Sequence, residues 1–319
     1  MMEDICYIEP KEIPLSEFPA DPDLPEGVRC IKLDDDPGLQ CRYVNDVVYA
    51  ERSGEKQHLQ ILIPESRADG FPPKIARRWP LVVYIPGSAF HRQYIHGRLG
   101  PMFDFCRRGY VVAVVEYRPS EVAPFPAQMQ DAKTAVRFMR KHAEEYCVDT
   151  EKLAIWGDSS GAHTAVICGV TGDADPDTPD YGEYSAQVGC IIDWFGPTDI
   201  AQMNCRPSAQ DHRAPNSPEG FFIGQRPVLE HPEITQQANP AAYLTEDRPT
   251  PPILIMHGDC DRLVPFNQSV LLYNKLRATG KDVEFYKLLG SDHVGAGFLS
   301  RRSFDIVDEF IRRKLGLRV

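Results

Sequence analysis

The stretch Leu153-Ala154-Ile155-Trp156-Gly157-Asp158-Ser159-Ser160-Gly161-Ala162-His163 reads as strand, sharp turn and helix. Leu153 to Trp156 is a short apolar run of the kind that suits a buried strand. Gly157-Asp158-Ser159-Ser160-Gly161 fits G-x-S-x-G, the nucleophile elbow. A serine on so tight a turn occupies backbone space that is costly for a residue with a Cβ. Its neighbours two positions away on either side must then be tiny, or their side chains collide across the turn. Ala162, Ala165, Val166 and Gly169 continue as a small-residue helix able to lie close on a sheet. The start of that helix also brings backbone N–H groups to the serine, where an oxyanion would form. The pattern recurs by chance in unrelated chains, so an ordinary Gly/Ser turn is its bland rival. The decision rests on whether a base, an acid and an oxyanion loop occur elsewhere in the right order.

The chain has 319 residues, of which 42% are hydrophobic and 25% charged, an ordinary composition for a protein with a large core. The length allows one large α/β domain or two small ones. A net charge of −11 and a pI near 5.3 argue against a nucleic-acid partner. No apolar run is long enough to span a bilayer, so no membrane partner is expected. Met1 to Pro19 carries Glu3, Asp4, Glu9, Lys11 and Glu12 and no apolar core of a signal peptide. Nine cysteines are scattered without a C-x-x-C pair, and several, such as Cys168 and Cys190, sit in apolar surroundings. That pattern favours a reduced, cytoplasmic protein over a disulfide framework or a metal site.

Residues 1 to about 40 are rich in proline and acids and read as an irregular arm, with room for one short helix. Tyr43 to Ala50 and Leu59 to Ile63 read as an antiparallel edge hairpin about Ser53-Gly54. Leu81 to Ile85 is a continuous apolar run, as a central strand should be. It ends in Pro86-Gly87-Ser88-Ala89-Phe90. A helix is expected near Pro101 to Arg107, a strand at Val111 to Val115 and a long helix from Phe125 to Tyr146. That helix has Met129, Ala132, Val136, Phe138 and Met139 on one face. After the elbow come a strand at Val188 to Phe195 and another at Ile253 to Met256. A helix at Asn267 to Ala278, a strand at Val283 to Leu288 and a helix at Phe298 to Leu315 complete the chain. Strands alternating with helices predict a mostly parallel, doubly wound sheet of about eight strands. Roughly 197 to 252 is too long and too proline-rich for a plain connection, and is expected to form a cap or lid, with the arm sharing in it.

Acyl transfer by a serine needs a base, an acid that orients it and donors for the oxyanion. Asp261 follows a strand end well after Ser159, and His293 follows the next strand. Both lie in loops at strand C-termini, where sites in such sheets form. In chain order the trio is Ser, Asp, His, as in α/β-hydrolases.

On these residues the chain resembles a serine esterase of the α/β-hydrolase superfamily. It is similar to the bacterial carboxylesterases that include hormone-sensitive-lipase-like, acetyl-xylan and feruloyl esterases. The matching pieces are Tyr84 to Phe90 for the oxyanion loop, Tyr117-Arg118 with Asp131, Gly157 to Gly161, His257 to Pro265, and His293. His257 to Pro265 matches H-G-x-x-D-x-x-V-P, whose Asp is the triad acid, here Asp261. The family's usual His-Gly-Gly before an aromatic residue is Pro86-Gly87-Ser88-Ala89-Phe90 in this chain. Because backbone N–H groups make the hole, Ser88 can still donate, and Pro86 lacks only its own N–H. Asp292 before the base is a second departure: it either raises the imidazolium pKa or is a loop residue.

The resemblance implies ester hydrolysis through an acyl-enzyme, with Ser159, His293 and Asp261 catalytic and no cofactor or metal. Gly87, Ser88 and Ser160 are the expected oxyanion loop. Ala89, Phe90, Asp158, Phe221 and Phe222 are the candidates for contact with a small-molecule ester. Short acyl or cinnamoyl esters, some on plant-derived sugars, are the implied substrates. Asp259 is the alternative acid. His257 is expected to buttress the acid loop, His163 to pack behind the site, and Arg118 with Asp131 to form a structural pair. An amidase or formamidase with the same triad and a silent binding protein on the same fold remain as alternatives. The oligomeric state is left open.

Overall fold

A computed structural model describes residues 7–14, 16–23, 25–31, 38–66 and 77–317. It divides into two units, Met1–Asp36 and Pro37–Val319. In the first, the described residues form no helix or strand, only turns such as the one in which Glu17 and Phe18 donate to the Pro14 carbonyl. Cys6 and the acidic stretch Asp34 to Pro37 of the expected arm lie outside the described residues.

The second unit carries eight strands: β1 (Leu39–Arg52), β2 (Glu55–Ser66), β3 (Trp79–Ile85), β4 (Val111–Val115), β5 (Val148–Asp158), β6 (Cys190–Trp194), β7 (Ile253–Gly258) and β8 (Val283–Leu288). They form one sheet in the order β1-β2-β4-β3-β5-β6-β7-β8. The β1–β2 and β2–β4 pairs are antiparallel and the rest parallel. The hairpin turns at Ser53 and Gly54, both at positive φ (55° and 76°), the backbone a two-residue turn between twisted strands needs.

Side chains of the central strands alternate between two cores. Leu81, Val83, Ile85, Leu153 and Ile155 face one side, where they meet α2 (Ala127–Lys141), α3 (Ser160–Thr171) and α6 (Asn267–Ala278). Val82, Tyr84, Ala154 and Trp156 face the other, against α1 (Leu99–Cys106) and α7 (Arg301–Leu315). Burial on both faces is why these strands read as unbroken apolar runs. The result is the α/β-hydrolase fold, with helices on both faces of a mostly parallel sheet.

Residues 197–252 leave the sheet after β6. They form short 3-10 turns and two short helices, α4 (Pro218–Phe222) and α5 (Pro232–Gln237). Arg118 and Asp131 make a buried, doubly hydrogen-bonded pair that ties the chain after β4 to α2, and Arg52 joins it from β1 at 2.7 Å. Eight cysteines fall in the described residues, all as free thiols. Among those residues no helix is long and apolar enough to cross a membrane.

Candidate active site

Ser159 stands between β5 and α3 at φ 54°, ψ −128°, the strained conformation that the elbow demands. The glycines around it are fixed by space. A Cβ on Gly157 would lie 2.3 Å from the Gly161 carbonyl oxygen, and one on Gly161 would lie 2.0 Å from that of Ile85. The Ser159 N–H is held by the Trp194 carbonyl at 2.8 Å, which locks the turn onto β6.

Three loops at strand C-termini converge on this serine. His293, after β8, places Nε2 3.0 Å from Ser159 Oγ and Nδ1 2.7 Å from Asp261 Oδ2. Asp261, after β7, takes the Leu263 and Val264 N–H groups on Oδ1, each at 2.9 Å. His257 Nε2 lies 3.1 Å from Asp261 Oδ2 and 2.9 Å from the Val264 carbonyl. Since that carbonyl only accepts, Nε2 is the protonated nitrogen, and Nδ1 accepts from the Ser269 hydroxyl at 2.7 Å. Burial alone would raise the Asp261 pKa. The hydrogen bonds from His257 and His293 outweigh it and hold the carboxyl well below the usual carboxylate range. Asp261 is therefore a permanent anion, suited to fix the imidazole tautomer.

Asp259 points elsewhere: its carboxylate accepts the Gly290 N–H at 2.6 Å and has no contact with His293. Asp292 is a tie between loops. It accepts the backbone N–H groups of Arg262 and His293, and the Arg262 guanidinium above all holds its pKa down to about 2. The Phe195 ring lies edge-on to the His293 ring, centroids 4.7 Å apart.

The oxyanion loop differs in detail from the sequence expectation. The Ser88 N–H is taken by Ser160 Oγ at 2.9 Å, and the Gly87 N–H by Asp158 Oδ1 at 3.0 Å. Tyr117, buried beneath, brings its hydroxyl to Ser88 Oγ, to Ser160 Oγ and to the Pro86 carbonyl. Ala89 and Phe90 then turn the chain through positive φ (55° and 61°). Among the described residues the backbone N–H groups of Ala89 and Ser160 have no protein partner. The free donors thus sit one residue later in the loop than Ser88. The Ser160 hydroxyl, whose reach the motif does not reveal, occupies the earlier one.

Asp158 is an anchor. Its Oδ1 also accepts from Tyr84 Oη at 2.6 Å, and its Oδ2 lies 3.1 Å from Arg98. It borders the cavity, but both oxygens already have donors from the protein. Phe222 has the core position, one of the two readings open to an apolar cluster in this segment. It is fully buried and stacks on Phe90 with centroids 4.0 Å apart, in a cluster with Ile167, Ile200 and Ile223. Phe221 is half-buried and meets the His91 ring at 5.5 Å. Neither borders the cavity at Ser159. An apolar pair on a short helix needs a floor, and the Phe90 ring supplies it.

That cavity, about 210 Å³, is bounded by Gly87 to Phe90, Asp158 to Ser160, His293 and Val294 on the sheet side. Pro197, Gln210, His212, Pro218 and Glu219 enclose it from the 197–252 segment. Tyr84 and Tyr117 fall within the motif pieces read from the sequence but without a role of their own, and Arg98, His212 and Glu219 were not singled out, since none belongs to a spaced motif. His163 lies behind the site, its Nε2 2.6 Å from the Ala238 carbonyl, and burial lowers its pKa to about 4. Among the described residues no group of three or more His, Cys, Asp or Glu gathers as a metal site would.

Comparison with known proteins gives the chain a family and several relatives. Residues 70–276 match the BD-FAE family, and the chain belongs to it, within the α/β-hydrolase serine esterases. It is 25% identical over 299 residues to Esterase LipQ of Mycobacterium tuberculosis, covering 88% of this chain and 66% of that relative's length. A solved structure described as a truncated carbohydrate esterase from gut microbiota superposes with a TM-score of 0.72 at 27% identity, covering 86% of this chain and 96% of that one. The propionate-bound esterase Est2 of Thermogutta terrifontis shares the fold, with a TM-score of 0.67 at 22% identity over 89% of this chain and 97% of its own.

Proposed function

We propose that the chain hydrolyses carboxylic esters with short acyl groups through a Ser159 acyl-enzyme. The observation that carries this reading is the relay Ser159–His293–Asp261, with contacts of 3.0 and 2.7 Å, bordering an open cavity. His293 Nε2 takes the Ser159 proton as Oγ attacks the ester carbonyl. Asp261 holds Nδ1–H and offsets the imidazolium charge. The N–H groups of Ser160 and Ala89 receive the oxyanion. His293 then protonates the leaving alcohol, and water repeats the sequence to release the acid.

Two observations narrow the substrate. The cavity of about 210 Å³ is smaller than the roughly 300–1,000 Å³ typical of sites for drug-sized ligands. That supports acetyl or propionyl over cinnamoyl groups. The likeness to a carbohydrate esterase supports a sugar as the alcohol part. Residues 197–252 act as the cap that closes the site, since they supply five of its bordering side chains. Free thiols, four of them buried among the eight in the described residues, suit a reducing, cytoplasmic setting.

The test is a panel on one preparation: p-nitrophenyl esters of rising acyl length, acetylated sugars, feruloyl esters and matched amides. kcat/KM should be highest for acetyl and propionyl esters, with amides far slower. A feruloyl optimum, or amides cleaved as fast as esters, would reverse the assignment.

A further inference from the structure

We infer that Phe195 is a positioning residue for His293: its buried ring is the wall that sets the imidazole within reach of Ser159. The inference rests on the esterase reading above. Phe195 follows β6, is 1% exposed and does not border the Ser159 cavity, so it acts on the base and not on the substrate. Its ring lies edge-on to the His293 ring with centroids 4.7 Å apart, and edge-on to the Phe298 ring at 4.4 Å. Both neighbours belong to the loop between β8 and α7. The loop that carries the base is thus pinned twice on one side chain. Ser159 and Asp261 engage the two nitrogens of His293, at 3.0 and 2.7 Å. Those contacts define a line about which the imidazole can still tilt, and an aromatic ring packed edge-on blocks that tilt.

The same link of chain fixes the nucleophile. The Trp194 carbonyl receives the Ser159 N–H at 2.8 Å, and the Phe195 N–H donates to the Met256 carbonyl of β7 at 2.9 Å. Serine and base are therefore registered on neighbouring residues. The backbone supplies a second, independent observation. Phe195 has φ 46°, in the left-handed region where a bulky side chain is an outlier. Glycine adopts that region at no steric cost, and a glycine stands next in the chain. Gly196 is needed there for space: a Cβ on it would lie 2.8 Å from Asp193 Oδ1 and 2.9 Å from the Ala162 Cβ. The bend falls on Phe195 instead. Strain kept on a buried aromatic residue beside the base marks a side chain retained for its ring.

The experiment takes Phe195→Leu and Phe195→Met, with Ser159→Ala and Phe304→Leu for comparison. Each is followed by thermal melts, steady-state kinetics on p-nitrophenyl acetate and the rate of labelling by a fluorophosphonate. Phe304 is a buried ring that meets Trp194 at 5.8 Å and has no ring contact with His293. Misplacing a reacting group by about 1 Å costs on the order of 100-fold in rate. Both Phe195 variants should lose roughly 10–100-fold in kcat and in labelling rate, with KM within about twofold of wild type. Phe304→Leu should lower the melt and leave kcat within a few-fold. A folded Phe195 variant with wild-type kcat overturns the inference. So does a loss of kcat that Phe304→Leu shares, or a change confined to KM. Should neither Phe195 variant fold, Phe298→Leu, which removes the other support of the Phe195 ring, must show the same split between kcat and KM. If Ser159→Ala keeps the activity, the esterase reading itself falls, and this inference with it.

Discussion

Truncating Phe222 separates a core role from a pocket role for the aromatic pair of α4. Its ring is fully buried, stacked on Phe90 at 4.0 Å, with His163 and Phe125 edge-on at 5.3 and 5.5 Å. The Phe222 carbonyl also receives the Phe125 N–H at 2.7 Å, so the backbone cannot move freely to refill a void. Phe222→Ala removes the ring's transfer free energy and leaves a cavity, a loss of about 3–5 kcal/mol. For a domain of this size that lowers Tm by roughly 5–8 °C. Phe221→Ala, at a half-buried site with one ring neighbour, should cost about 1 kcal/mol or less. Neither change removes a group that borders the cavity. The ratio of kcat/KM for acetyl and butyryl esters should therefore move by less than the roughly 10-fold that a lining residue commands. Thermal melts beside kinetics on both esters give the answer. An unchanged Tm for Phe222→Ala together with a tenfold change in that ratio would refute the reasoning.

Asp261→Asn should lower kcat by roughly 10⁴-fold, because an amide favours the wrong imidazole tautomer. Asp259→Asn should leave kcat within a few-fold of wild type, and equal losses in the two variants would show that the acid is misassigned. Asp193 is buried at the end of β6 with a single donor, the Gly196 N–H, and burial raises its pKa to about 7. Its folded pKa stands above the unfolded value, so it costs stability increasingly as pH rises from about 4 to 7. Asp193→Asn should therefore raise stability by about 2–3 kcal/mol more at pH 8 than at pH 5. Denaturant titrations of both proteins at the two pH values check this, and a pH-independent difference would count against it. Burial works the other way at His163, whose neutral form the fold favours: its contribution to stability falls as pH drops from 6.5 to 4, so in the Asp193→Asn background, where no opposing term remains from Asp193, Tm should fall over that range.

Much of this was legible in the sequence because burial on both sheet faces leaves unbroken apolar runs. Val111–Val115, Asn267–Ala278 and Val283–Leu288 have the bounds that their patterns imply. β5 begins earlier than its apolar run because Trp79 and Pro80 pair with Val148 and Asp149 ahead of a register shift, and a polar segment hides that pairing. The long helix is shorter than its periodicity suggests. It starts after Pro126, and the chain turns at Cys147 through φ 59° to enter β5. The elbow and the chain order of Ser159, Asp261 and His293 marked the candidates, because spacing and strand ends survive in a linear text. Which N–H groups stay free was not legible, since it depends on the Ser160 rotamer and on two positive φ angles after Ser88. Glu219 and His212 meet across irregular backbone with no period to betray them.

The account stands or falls on Ser159. Intact-mass analysis after treatment with a fluorophosphonate probe, run with steady-state kinetics on p-nitrophenyl acetate, tests it most directly. The wild-type chain should gain one phosphonyl adduct and lose its activity in step. Ser159→Ala should fold with an unchanged melt, take up no adduct and show kcat lowered by roughly 10⁴-fold or more. A folded Ser159→Ala protein that is still labelled, or that keeps a tenth of its activity, would contradict the account.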